Sequence, residues 1–217
     1  PDSMAEQAKY AVEEGFSHIK VKIGFEFYSD IKLVELIRSC IPNEVTLRVD
    51  AEEGYDLKGA LQIAKIFEDM NIELFSQPIS RYYHQQMSEL RAQTSIRIVV
   101  DESIESPHDV ALCAHHRSGD VVNIKIMKAG GLLKSKRMAA VAHAFGLDCF
   151  VGSMIEMGPG SVAGAHFAVS TPNITYASEL VGSKLLSDDV LVDEVKISDG
   201  KLCISDDPGF GISLDRD

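Results

Sequence analysis

The feature that most restricts the fold of this chain is a repeat. Short apolar, β-branched runs fall at residues 17–23, 45–51, 72–76, 96–101, 121–126, 147–151 and 174–178, and their starts lie 28, 27, 24, 25, 26 and 27 residues apart. Between them the apolar residues take helical spacing. Leu57, Ala60, Leu61, Ala64 and Phe67 form one stripe; Leu33, Val34, Ile37 and Ile41 form another, behind a cap expected at Ser29 or Asp30. Strands this apolar are buried on both faces, as in parallel sheets. Seven such units leave two architectures, a doubly wound open sheet and a (β/α)8 barrel of the TIM type. The open sheet calls for a Gly-rich phosphate turn after its first strand, and Lys22-Ile23-Gly24-Phe25 is not one. Even spacing favours the α/β barrel. The count is one strand short of eight and a helix is expected first, over residues 4–14, so the first barrel strand is expected upstream of Pro1.

Composition narrows the partners. With 21 basic and 33 acidic residues among 217, the net charge is −12, which repels phosphate backbones and anionic lipid. No nucleic-acid or membrane partner is expected. No apolar run approaches the roughly 18 residues of a membrane span, and Pro1-Asp2-Ser3-Met4 opens no basic, then apolar, leader. The expectation is a soluble, cytoplasmic protein. Four cysteines at 40, 113, 149 and 203 form no C-x-x-C pair, which argues against a zinc site or a disulfide framework. His115 and His116 are expected on the surface at a helix end.

In a (β/α)8 barrel the active site lies at the C-terminal ends of the strands. There the first strand carries Lys20 and Lys22, which alternation points to one side. The second carries Asp50 and Glu52, again on one face. The third ends in Phe75-Ser76-Gln77-Pro78 and the fourth in Val100-Asp101-Glu102-Ser103. The fifth carries Asn123-Ile124-Lys125-Ile126-Met127-Lys128 before Gly130-Gly131, the sixth leads to Glu156, and the seventh ends at Ser178-Glu179. Taken singly, a K-x-K is a solvated strand end and an Asp a helix cap. Together they put lysines on two sides of one barrel mouth with acids between them. Buried near one another, such charges are costly unless paired with a cation or a reacting anion. A divalent ion flanked by lysines suits removal of a proton beside a carboxylate.

These stretches, with Val49-Asp50-Ala51, Met154-Ile155-Glu156, Ser178-Glu179-Leu180-Val181-Gly182 and the closing Pro208-Gly209-Phe210-Gly211, resemble the barrel domain of the enolase superfamily, in its muconate lactonizing enzyme/mandelate racemase group. The resemblance runs from Pro1 to about Asp215. It implies a barrel domain over 1–185 holding strands 2–8, and a segment over 186–217 returning toward an N-terminal capping domain that this sequence does not include. It implies α-proton abstraction from a small carboxylate through an enediolate, in a muconate cycloisomerase-like isomerase, with racemisation or epimerisation of amino-acid derivatives or dipeptides, and dehydration of acid sugars, as alternatives. Lys22 and Lys125 become the acid/base lysines. Lys20, Asn123, Glu156 and Glu179 become substrate contacts, and Asp50 and Asp101 ligands of Mg2+, with Mn2+ an alternative. Self-association is also implied.

The departures matter. The resemblance implies a metal-binding Glu where this chain has Ser76. A neutral hydroxyl removes one charge, and one unit charge at about 4 Å is worth roughly 4 kcal/mol at an effective dielectric of about 20. Glu52, expected to be Asn, is the candidate substitute; Glu73 points to the other face. A degenerate, non-catalytic member with impaired metal binding is therefore a second expectation. A Schiff-base aldolase built on Lys125 leaves both aspartates unexplained. Gly158-Pro159-Gly160 reads as a turn into a helix over residues 161–169 rather than a phosphate cradle.

Overall fold

The structure, a computed structural model, describes residues 2–216; Pro1 and Asp217, at the ends of the two expected domains, lie outside it. After helix α1 (Asp2–Glu13), five βα units follow: β1 (His18–Lys22), α2 (Phe27–Cys40), β2 (Thr46–Asp50), α3 (Leu57–Glu68), β3 (Ile72–Ser76), α4 (His84–Gln93), β4 (Arg97–Val100), α5 (Pro107–His116) and β5 (Val121–Ile124) with α6 (Ile126–Ala129) and α7 (Leu132–Ala144). Then come β6 (Asp148–Val151), α8 (Gly158–Val169), α9 (Gly182–Leu185) and the short β7 (Ile197–Ser198) and β8 (Lys201–Leu202). Strands β1 to β6 pair in chain order, all parallel, in one curled sheet. This is an incomplete barrel.

Alternation along the strands divides the interior into two layers. Outward-facing Val49, Phe75, Val100, Ile124 and Val151 join the helix stripes in one core. In α3 that stripe buries Ala60, Ile63, Ala64 and Phe67, and the Phe67 and Phe75 rings meet edge-on at 6.2 Å. Inward-facing Leu74, Val99, Val121 and Phe150 pack with Tyr176 as a separate cluster. Three of these stand two residues before Ser76, Asp101 and Asn123, so the inner cluster floors the expected site. Arg48, two before Asp50, completes the floor. Its guanidinium lies 5.5 and 5.9 Å from the Phe150 and Tyr176 ring centres, pairs with Glu73 at 2.6 Å and donates to the Ala177 carbonyl at 2.7 Å.

The expected seventh strand, at 174–178, is not a regular strand. It touches β6 through one bridge, Cys149 to Ile174, through Thr175 N–H to the Cys149 carbonyl and through Glu179 N–H to the Val151 carbonyl. At its far end the Ser178 hydroxyl, not a backbone carbonyl, takes the Val151 N–H. Among the described residues no strand pairs on its other side, so only half a ladder holds it. The cap of α2 also differs from expectation. Glu26 caps the helix, accepting from the Tyr28 and Ser29 N–H groups. Asp30, buried in the first turn, instead accepts the Gly24, Phe25 and Glu26 N–H groups and the Tyr55 hydroxyl. Helix α8 begins earlier than expected, Gly158-Pro159-Gly160 forming its first turn. His115 and His116 close α5 and are exposed.

All four cysteines are free. Burial pushes the Cys113 and Cys149 thiols up to about 12, whereas Cys203 is exposed and Cys40 half-buried. A thiol reagent acts on the thiolate. Labelling of the folded protein at neutral pH is therefore expected to stop at two groups, with Cys113 and Cys149 reacting only after denaturation; mass spectrometry of tryptic peptides checks it.

Candidate active site

Register aligns the strand ends. Lys22 pairs with Asp50 and Asp50 with Ser76 across β1, β2 and β3, and Asp101 follows β4 directly. Asp50, Asp101 and Asn123 are fully buried, Ser76 nearly so. Around the two aspartates stand four lysines. Asp50 Oδ2 lies 3.1 Å from Lys20 Nζ and 2.9 Å from Lys22 Nζ. Asp101 Oδ2 lies 2.8 Å from Lys125 Nζ and accepts the Asn123 amide N–H at 2.6 Å, while its Oδ1 lies 2.7 Å from Lys128 Nζ. Lys20 also meets Glu179 Oε2 at 2.5 Å, and Lys22 meets Glu52.

These contacts set the charge states. Burial works to lower the pKa of Lys20, but the Glu179 and Asp50 carboxylates beside it outweigh burial and raise it above the usual lysine range. Burial works to raise Asp101, and the Lys128 and Lys125 ammonium groups outweigh it, holding the carboxyl below the usual carboxylate range. Glu102 goes the other way, raised by burial and by the neighbouring Asp101 charge.

The backbone is shaped to bring these groups together. Gln77, fully buried and at a φ of +33°, turns its amide oxygen to the N–H groups of Asp101 and Ser103 and to the Ser103 hydroxyl, tying the β4 loop to β3. Asn123 packs flat on Gly152, where a Cβ would lie 2.2 Å from its Oδ1; only glycine admits that approach. A cavity of about 930 Å3 opens above, with Lys20, Lys22, Glu52, Glu102, Lys125 and Glu179 among its polar lining. Phe16, Ile19, Ala165, Val169 and Leu180 give it an apolar wall. Lys22 and Lys125 reach it from β1 and from the end of β5, four strands apart in the sheet.

Over residues 3–217 the sequence matches the family described as Enolase C-terminal domain-like. The chain belongs to that family. It is 34% identical over 215 residues to the L-Ala-D/L-Glu epimerase of Bacillus subtilis, covering 98% of this chain and 58% of that protein. It is 29% identical over 222 residues to muconate cycloisomerase 1 of Rhodococcus opacus, covering 98% and 60%. Its fold superposes on the muconate lactonizing enzyme of Pseudomonas fluorescens complexed with muconolactone at a TM-score of 0.95 and 32% identity, over 99% of this chain and 58% of that one. The chain thus spans about three-fifths of the length of these relatives.

Of the residues expected from the sequence, Lys20, Lys22, Asp50, Glu52, Ser76, Asp101, Asn123, Lys125 and Glu179 gather at this barrel mouth. Glu156 does not join them. It folds onto its own loop, where its carboxylate accepts from the Ser153 hydroxyl and, at 2.9 Å, the Met154 N–H. Three contributors were not expected: Lys128, Gln77 and Glu102. Lys125 precedes α6 with extended backbone while Lys128 lies within that helix, so no single periodicity predicts that both reach Asp101.

Whether the donors fit the Mg2+ that the resemblance implies is a question of their chemistry. Mg2+ takes about six hard oxygens in an octahedron. The strand ends present the Asp50 and Asp101 carboxylates, the Ser76 hydroxyl and, beside Asp101, Glu102 with one buried unpartnered oxygen, yet among the described residues no three His, Cys, Asp or Glu side chains converge on one point. Three of the four aspartate oxygens are already held by ammonium groups. The set does not fit.

Proposed function

We propose that this chain moves a proton at the α-carbon of a small carboxylate, as an isomerase of the cycloisomerase kind, with racemisation or epimerisation as the nearest alternative outcome. The observation that carries the reading is the placement of Lys22 and Lys125 on opposite walls of one cavity, each against a buried aspartate.

The chemistry follows from that placement. The substrate carboxylate docks against Lys20, which stays an ammonium group, competing there with Asp50 and Glu179. A lysine acts as a base only as its free amine, so before abstraction Lys22 or Lys125 gives up its ammonium proton to water as its ion pair with Asp50 or Asp101 opens. The amine takes the α-proton, the electron pair moves into the carboxylate as an enediolate, and the remaining ammonium groups stabilise the added charge. Proton return from the opposite wall inverts the carbon. Re-forming the carboxylate with a new Cα–Cβ double bond breaks the bond from Cβ to a leaving group, which departs as a hydroxyl protonated by the opposite lysine or, from a lactone, as a carboxylate, and this gives the other outcomes.

The test is α-proton exchange. The chain is incubated in D2O with muconolactone and with a panel of dipeptides, and loss of the α-proton signal is followed by NMR. Exchange with one class, strongly reduced for one enantiomer in Lys125→Met, supports the reading. No exchange with any member favours the second reading, a non-catalytic member of the family, to which Ser76 and the lysine-bound aspartates already point.

A further inference from the structure

The four ammonium groups at the strand ends occupy the space and supply the charge that a divalent ion would. Lys20 and Lys22 share Asp50 Oδ2, and Lys125 and Lys128 take one oxygen each of Asp101. Only Asp50 Oδ1 is left to a weak partner, the Glu52 N–H at 3.4 Å. The nearby acids, Asp50, Asp101, Glu52, Glu102 and Glu179, number five against those four lysines, and burial beside the Asp101 charge raises the pKa of Glu102, so the lysines already offset most of the acidic charge. A divalent ion inserted between the aspartates would add two positive charges to carboxylates whose charge the lysines already largely offset, and would be repelled by every ammonium group around it. The strand between the aspartates offers it only the Ser76 hydroxyl.

We propose that this site works without a divalent cation, the ammonium groups of Lys20, Lys22 and Lys125 standing in its electrostatic place. This rests on the preceding reading only in placing the carboxylate ligand in the same cavity; the charge argument does not depend on turnover.

Titration of the metal-free full chain with Mn2+, followed by calorimetry and by the electron paramagnetic resonance of free Mn2+, reads the ion alone. Two variants are compared with the parent, each checked by circular dichroism. Ser76→Glu supplies a third carboxylate between the aspartates, and Lys22→Met removes one competing ammonium without adding bulk. Each variant is expected to bind Mn2+ at least about tenfold more tightly than the parent, a modest fraction of one unit charge at contact range. Parent binding as tight as that of Ser76→Glu, and lost in Asp101→Asn, overturns the proposal. So does parent binding that Lys22→Met leaves unchanged or weakens, which keeps the test decisive if Ser76→Glu fails to fold. A chain that binds Mn2+ weakly yet shows no α-proton exchange leaves this inference standing and removes the proposed reaction instead.

Discussion

Exchange of the substrate α-proton falls by a factor of about 10² to 10⁴ when Lys125 is replaced by Met, the span that a positioned acid or base contributes. Lys125 is nearly buried, and Met keeps its length and apolar stem while removing the ammonium group. Asp101 keeps its Lys128 and Asn123 partners, so the fold is expected to survive. Lys22→Met gives the second half of the experiment. Because the two lysines approach from β1 and from the end of β5, they address opposite faces of a bound carbon. Each variant is therefore expected to lose exchange with one enantiomer far more than with the other, and the two losses are mirror images. NMR exchange rates measured separately for the two enantiomers of one substrate decide this. If both variants lose both enantiomers equally, the two-sided arrangement is wrong.

Much of this site was legible because strand alternation and barrel topology act locally. Lys20 and Lys22 share a face by spacing alone, and the register of β1, β2 and β3 sets Lys22, Asp50 and Ser76 side by side; Glu52 lies beyond β2 in a turn at a φ of +46° and meets Lys22 from there. What was not legible depends on partners far along the chain or on unusual backbone. The 174–178 segment has strand composition, yet a strand is completed by its neighbours, and here only β6 pairs with it. Gln77 precedes Pro78, which ordinarily favours extended backbone; its positive φ follows from its three-way grip on the β4 loop. Glu156 lies in the loop beyond β6, five residues past Val151, and that loop satisfies its carboxylate first. Asp30 looked like a cap because Asp caps helices, and the helix simply began four residues earlier, behind Glu26. In each case the pattern gave the residue's neighbourhood and the competing hydrogen bonds gave its role.

The largest loss of stability is expected from Asp101→Ala. The carboxylate is fully buried and meets two lysines whose own side chains are only 7% and 15% exposed. Its removal strands both ammonium groups, and breaking a buried pair this way costs about 3–5 kcal/mol. For a chain of this size that lowers Tm by roughly 6–20 °C, measurable by calorimetry near neutral pH. The Lys128→Met substitution, made in the Asp101→Ala background, is expected to return part of the loss, because it removes one stranded charge; simple additivity of the two changes would show that the pair does not interact. The pH dependence has a definite sign. Lys128 and Lys125 hold the Asp101 carboxyl below its ordinary range in the folded state, so the unfolded chain binds this proton more readily. The stabilisation is then complete above the ordinary carboxylate pKa, about 3.9, and drains away as pH falls toward the lowered folded value. The parent is expected to lose stability more steeply than Asp101→Ala across that acid window, and parallel curves would show that Asp101 does not carry the acid sensitivity.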